Sequence, residues 1–588
     1  MRKELPIGIE SFSELRWKAL YYVDKTAFLR PVLEHPGRRL LLLRPPHFGK
    51  SLFLSTLESF LQLDVQRPGD TSRNAALFTG LAVQNDRDFC KRFMGQYPVV
   101  SLSLKGAVGE SFASAEAAAS EILAQTLEAH RYLLESPKLP AWDKAELQRY
   151  FPAERQKACV ERDGEEVLRS LVRWLARHFD RQVILLVDDV DVPLRRAAQQ
   201  GYFDEMCAWL RQLLGPVLRE DPRAACDAVP YLAKAVMTGT VDVSRELFEY
   251  LAPAEFSTVC DEGKRLAEML GFSIPEVGAL LQDFEPADGE PNFRREFGGY
   301  RFGTSEIVCP ADVLRSLASV SETETSLAAK FDDAFNEGRF VEAFLAAMTT
   351  DETGLLQALM DGESVVVHAS NCREPWFRDG ELSVTWGHLL QLGYLTAEER
   401  IRSGVYRVRV PNAQVRRQWK ERLQRHFSQS NPRWQQQCLD LGDAVTTGVG
   451  QTVRRALLPM LCHYVATGET SVNRDEARYC ELLVLAMKLA GYDVPLLTVN
   501  EAETRFSGME FSSTNRNAGV IIGLKRCSEP QAMSVAAQAA LKAIQKENSG
   551  ETEVGHNRGK WFEYGIGFCR NLCAVAAEER TTEDCVVR

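Results

Sequence analysis

An α/β fold built on a largely parallel sheet is expected from three stretches of this 588-residue chain. Each is a short apolar run that stops at polar residues. Residues 40–43 (LLLL) end at Arg44-Pro45-Pro46, residues 183–187 (VILLV) at Asp188-Asp189, and residues 233–237 (AKAVM) at Thr238-Gly239. Near-continuous apolar runs suit parallel strands covered on both faces, and ligands of such sheets gather beyond the carboxyl ends of the strands.

Composition sets the outer bounds. Apolar residues make up 45% and charged residues 26% of the chain, enough for sizeable cores in roughly three or four domains. A net charge of −11 argues against nucleic-acid binding over the whole surface and leaves room for a local basic face. The 14 cysteines show no CxxC pair and no zinc-like spacing with histidine, so they read as reduced thiols of a cytosol-like compartment. No signal-peptide core and no bilayer-length apolar run is present, so the expectation is a soluble, cytoplasmic protein with no membrane partner.

In chain order, Tyr21-Tyr22-Val23-Asp24-Lys25-Thr26 precedes a helical pattern. Asp24 could cap that helix, or the cluster could lie beside a nucleotide base; spacing does not choose. Next comes RRLLLLRPPHFGKS, a strand, a loop and the start of an apolar helix. Unpaired N–H groups and the positive end of the helix dipole attract phosphate at such a place. Lys50 would reach the β- and γ-phosphates and Ser51 would hold Mg²⁺, with Gly49 between loop and helix. Arg44 stands where the usual pattern has its first Gly, and a positively charged helix cap is the alternative reading.

Residues 97–104 form a second expected strand, followed by an alanine-rich helix over 114–134 and another helix over 165–179. That helix feeds the strand ending at Asp188-Asp189. Asp188 then suits Mg²⁺ binding, and Asp189 suits orienting or deprotonating an attacking water. Thr238, at the end of the third strand, is a candidate sensor of the γ-phosphate, or simply part of a Thr-Gly turn.

Taken together these motifs resemble the AAA-ATPase-like proteins that carry a C-terminal PD-(D/E)xK nuclease-like domain. The likeness runs collinearly through LPIGIESF, YYVDKTAF, RPPHFGKSL, VDDVDVPL, MTGTVDVS, GGYRF, LLQLGYLT and VPNAQVR. The family loop R-P-R-R-F-G-K-S-L also has Arg at the position of Arg44. The resemblance implies ATP and Mg²⁺ as cofactors. It also implies a P-loop NTPase core over 1–252, a helical lid and connecting region over 253–365, a winged-helix-like element over 366–430 and a restriction-endonuclease-like α/β domain over 431–588. Asp189 replaces the family's Glu, a shorter side chain that would slow hydrolysis while sparing binding. Val190 and Val192 replace its Tyr and Lys, and Glu249-Tyr250-Leu251-Ala252-Pro253 replaces its S-G-L-N-N.

Residues 253–319 read as the lid, with Arg301 of GYRF able to approach phosphates or simply packed. In the winged-helix-like element, LLQLGYLTAEE reads as a helix, residues 406–410 as part of a hairpin, and a second helix follows. Nine basic residues fall between Arg400 and His426, with Glu421 the one acidic residue. Arg407, Arg409, Arg416 and Arg417 are therefore candidate contacts to DNA or RNA, against the alternative of a solvated helix face.

The last domain is expected to run helix 476–489, strands near Val494, Phe511 and Val520, helix 530–548, and a strand at 564–568. In the resembled nucleases a carboxylate on the second strand and Glu-x-Lys on the third bind Mg²⁺ and activate water. Here Lys525 matches the Lys, Gly523 occupies the acidic position, and Glu510 is the counterpart of the second-strand Asp. Cleavage is therefore expected to be lost, unless Glu501 or Glu503 supplies the missing carboxylate. A homo-oligomer is possible, because ring-forming ATPases complete their site with a neighbour's Arg; sequence does not single that Arg out.

Overall fold

The computed structural model describes residues 3–151, 160–219, 231–249, 256–259, 266–284, 289–319, 338–348, 350–369, 377–378, 381–382, 384–430, 433–466, 475–492, 509–513, 518–527, 529–547, 560–569 and 572–581. The strand expected near Val494, Glu501 and Glu503, and the replacement stretch from Tyr250 to Pro253 lie outside the described residues. The chain divides into two compact units, Met1–Ala347 with Val366–Arg416, and Met348–Val365 with Arg417–Arg588.

The first unit is organised by five parallel strands: β1 (Arg39–Leu43), β2 (Val99–Ser103), β3 (Val183–Asp188), β4 (Leu232–Gly239) and β5 (Phe256–Val259). Their order is β2-β3-β4-β1-β5, with β4 between β1 and β3. Every residue of β1 and β3 is buried, as strands covered on both faces require. One face packs Leu40, Leu42, Ile184, Leu186 and Val236 against Phe53, Leu57 and Phe60 of the helix Lys50–Leu61. Because all five strands point the same way, the loops after β1, β3 and β4 gather at one edge.

A small antiparallel sheet follows, from β6 (Phe272–Ser273), β7 (Tyr300–Phe302) and β8 (Ser305–Val308), in the order β6-β8-β7. Further on, β9 (Val365–His368) lies beside the hairpin, and β10 (Phe377–Arg378) and β11 (Glu381–Leu382) make a two-residue ladder. The hairpin is β12 (Thr396–Arg402) and β13 (Val405–Arg409). The helix expected across LLQLGYLTAEE stops much earlier. It spans Trp386–Gln391, Gly393 takes φ 83°, and Thr396 onward is strand β12. Glycine is needed at that break, since a Cβ there would sit 2.9 Å from Pro45 Cβ.

The second unit carries β14 (Met509–Ser513), β15 (Ala518–Arg526), β16 (Lys560–Cys569) and β17 (Leu572–Thr581), in that order across one sheet. Only β15 and β16 run parallel, and the helix Met533–Glu547 makes the crossover between them. Residues alternate strictly between faces. Val520, Ile522 and Leu524 of β15, and Phe562, Tyr564, Ile566 and Phe568 of β16, join the core containing helices Trp434–Ala444, Gly450–Ala466 and Asp475–Leu489. Glycines face the crossover helix. A Cβ at Gly523 would meet Ala540 O at 2.9 Å, and one at Gly565 would meet Ala537 O at 2.1 Å. Their absence lets the helix backbone approach the sheet closely. Among the described residues no helix is long and apolar enough to cross a membrane.

Candidate functional site

The loop after β1 turns sharply because His47 and Gly49 both adopt left-handed backbone, at φ 65° and 85°. Histidine is among the residues that tolerate this conformation, and glycine does so without steric cost. Such a turn curls successive N–H groups into an anion-binding concavity leading into the helix that starts at Lys50. Lys50 is buried, and its Nζ donates to Arg44 O (3.0 Å), Pro45 O (3.1 Å) and Thr240 Oγ1 (3.2 Å). Burial drives its pKa down from the ordinary lysine value, against the opposing pull of Asp189 and Asp191.

Neighbouring segments hold the loop from behind. Phe48 meets the rings of Tyr300 and Phe302 edge-on, with centroids 5.1 and 5.7 Å away, and Phe48 O accepts from Gly271 N at 2.9 Å. Arg44 is a strut rather than a ligand-facing group. Its guanidinium donates to Leu43 O (2.9 Å) and to Leu266 O and Ala267 O (3.4 Å each), and lies 4.1 Å from the centre of the Phe302 ring. GYRF therefore supports the loop through its aromatic residues, while Arg301 is exposed and does not line the cavity.

A cavity of about 500 Å³ opens in front of the loop. Gly49, Lys50, Ser51 and Asp189 line it, as the sequence suggested; Arg44, Asp188 and Thr238 do not. Asp188, at the end of β3, accepts the Thr238 hydroxyl proton on Oδ1, and the same hydroxyl accepts from Asp189 N–H at 3.2 Å. Thr238 is thus spent on organising the two acids, because it lies within the sheet, where β4 runs beside β3. The hydroxyl that reaches Lys50 belongs to Thr240, past the strand end. Asp189 itself is held at φ 54°, an unusual backbone for a non-glycine residue. Burial, then the adjacent Asp188 charge, push its carboxyl up to about 7, with Lys50 pulling the other way.

Besides Thr240, sequence reasoning missed two contributors. Lys105, just past β2, lines the cavity and pairs with Glu10 at 2.7 Å. Arg195, on the helix Val192–Gln200, lines it too, with Nε 3.0 Å from Asp191. These come from separate segments, and no fixed spacing ties them to the GKS loop. In the 21–26 cluster Asp24 accepts from Thr26 N (2.9 Å) and, from a distant segment, Ala82 N (2.7 Å), while the N-cap position of the short helix that follows is Lys25, which makes no side-chain capping bond. Tyr21, Tyr22, Val23 and Lys25 line the cavity, Lys25 being tied to Glu276 at 2.6 Å.

The other selected residues lie elsewhere. Arg409 binds Glu398 (2.9 Å), Gly299 O (2.9 Å) and Pro411 O (2.9 Å), and Arg407 lies 3.5 Å from Glu399. The hairpin brings in carboxylates that stand just outside the basic interval: Glu399 lies opposite Arg407 in register, and Glu398 reaches Arg409, whose register partner is Thr396. Arg416 and Arg417 lie on the helix Ala413–Ser430. Lys525 is exposed on β15, opposite Gly567; Glu510 pairs with Ile521 from β14; Gly523 is buried.

Comparison with known proteins agrees with this geometry at the level of the first unit. A family model described as a predicted AAA-ATPase matches residues 6–247. A curated protein of Azotobacter chroococcum mcd 1, described as an uncharacterized protein in the vnfD 5′ region, is 26% identical over 432 residues, covering 72% of this chain and 70% of that protein. Residues 6–247, which hold the GKS loop, both acids and Thr240, are similar to a predicted AAA-ATPase, and their parallel α/β sheet is consistent with a P-loop NTPase.

Proposed function

We propose that the first unit binds ATP with Mg²⁺ in the cavity beside Lys50 and hydrolyses it slowly. The observation that carries this reading is Lys50 itself. Among the described residues its hydrogen bonds go to three neutral oxygens at a left-handed turn on the carboxyl edge of a parallel sheet. A phosphate would add a charged partner in direct contact, beyond the more distant pull of Asp189 and Asp191. The cavity volume lies in the range of small-molecule sites.

The donor set fits Mg²⁺ as well. Among the described residues no group of three or more His, Cys, Asp or Glu is placed to hold a metal alone. Mg²⁺ characteristically takes one or two protein oxygens and completes its shell with phosphate and water. Ser51, on the cavity wall, would hold it directly and Asp188, which does not line the cavity, through a water; when bound it would neutralise charge on the terminal phosphates. Asp189 would accept the proton of the attacking water, a task suited to a carboxyl poised near neutrality. Its side chain is one methylene shorter than glutamate, which keeps turnover slow. Phosphate release should rise in Asp189→Glu; an unchanged or lower rate would show that reach does not limit the reaction.

For the second unit we propose a nuclease-like core that does not cleave. The strand order and the β15–β16 crossover support the first half of that reading, and Gly523 supports the second. At the position of the motif's acid, Ala540 O of the crossover helix fills the space a side chain would need. Nucleic-acid contact through the basic hairpin gains no support of its own, since Glu398 and Glu399 already match Arg409 and Arg407.

A further inference from the structure

We propose that Gln391 is a positioning residue for the phosphate end of the cavity: it holds the loop after β4 and, through that loop, the contact between Thr240 and Lys50. The inference rests on the nucleotide reading of the cavity and extends the site to a segment well beyond residues 6–247.

The loop after β4 is gripped at three successive residues. Thr240 Oγ1 accepts from Lys50 Nζ at 3.2 Å. Val241 N–H donates to Asp191 Oδ2 at 3.0 Å. Asp242 N–H donates to Gln391 Oε1 at 3.1 Å, across 149 positions of sequence. The first grip comes from the loop after β1, the second from the segment that follows β3, and the third from the helix Trp386–Gln391. Thr240, Asp242 and Gln391 are all buried. A buried backbone N–H left without an acceptor is costly, so the loop settles where Gln391 meets it.

Gln391 is itself held fast. It is the last residue of its helix, which closes in a glycine turn: Gly393 N–H donates to Leu390 O at 3.2 Å and Tyr394 N–H to Leu389 O at 3.0 Å, with Gly393 supplying the left-handed backbone. Leu389, Leu392 and Leu395 are buried, and Trp386 at the other end meets Phe344 edge-on with ring centroids 4.9 Å apart. The same turn reaches the loop after β1, where Gly393 comes too close to Pro45 for a side chain. Pro45 O is one of the acceptors of Lys50 Nζ. One turn therefore touches both loops whose oxygens hold the ammonium. If the Asp242 end slackens, Thr240 withdraws and Lys50 is no longer set in place before a phosphate arrives.

Gln391→Met keeps the length of the side chain and removes the acceptor, whereas Gln391→Glu keeps an acceptor oxygen at the same reach. Calorimetric titration of Mg²⁺–ATP into the full chain and into both variants, each first melted without nucleotide, separates positioning from packing. Gln391→Met should weaken binding by roughly tenfold, and Gln391→Glu should stay within about threefold of the parent. A Gln391→Met protein that melts lower yet binds Mg²⁺–ATP like the parent would make Gln391 a packing residue and overturn the proposal, as would equal weakening in Gln391→Glu. Hydrogen exchange in the parent gives a readout that needs no variant to fold. Mg²⁺–ATP should slow exchange at residues 240–242 and 389–394 together, because coupling between two places is reciprocal. Slowing confined to 240–242 would also overturn it. A parent that gives no heat with Mg²⁺–ATP would overturn the nucleotide reading itself, a failure distinct from binding that ignores Gln391.

Discussion

Asp189 joins backbone strain, burial and an adjacent like charge in one residue. Its folded pKa of about 7 lies well above the ordinary aspartate value, so the folded chain binds the extra proton between those limits. Stability from this group is therefore present at the acid end of that window and falls as pH rises through about 7. Asp189→Asn should melt higher than the parent at about pH 8, with the gap closing towards about pH 5. A gap that widens on acidification would contradict the assigned environment. Arg44 makes the complementary case. Replacing it with alanine strips a buried guanidinium from three carbonyls and the Phe302 ring, a loss of about 2–4 kcal/mol in chemical denaturation. An Arg44→Ala protein of parental stability would show that the strut is dispensable. That Lys50, Ser51 and Asp189 would line one cavity was legible in the sequence because each follows the end of an apolar strand, β1 or β3. The part played by Arg44 was not, since its partners at residues 266–267 and 302 are more than 200 positions away.

Among the elements, β1, β3 and β4 were readable because burial on both faces writes an unbroken apolar run into the sequence. LLQLGYLTAEE misled for the opposite reason. Its leucines recur at helical intervals, but Gly393 breaks the helix and Thr396 onward pairs with β13. The charge pairing of the basic interval was hidden in the same way, because cross-strand neighbours such as Glu399 and Arg407 are invisible to a count along the chain. On β15 the glycine at 523 marks where the crossover helix touches the sheet. Gly523→Glu should accordingly destabilise the second unit by about 2 kcal/mol or more and leave supercoiled plasmid intact with Mg²⁺ or Mn²⁺. A folded Gly523→Glu protein that nicks plasmid would show that the space is there after all.

Across the whole molecule, one cavity is assembled from the N-terminal segment, the loop after β1, the residue following β2, the ends of β3 and β4, and the segment 269–272. The chain order of these pieces carried the family likeness over residues 6–247, whereas their charge pairing, Glu10 to Lys105 and Asp191 to Arg195, emerges only from the fold. The account turns on a buried lysine as the anchor of a phosphate. Calorimetric titration of Mg²⁺–ATP into the parent and into Lys50→Ala measures this most directly. The parent should bind and the variant should lose binding by roughly a hundredfold or more, in keeping with the loss of a desolvated charge contact. Equal affinity in the two proteins, or no heat from either, would contradict it.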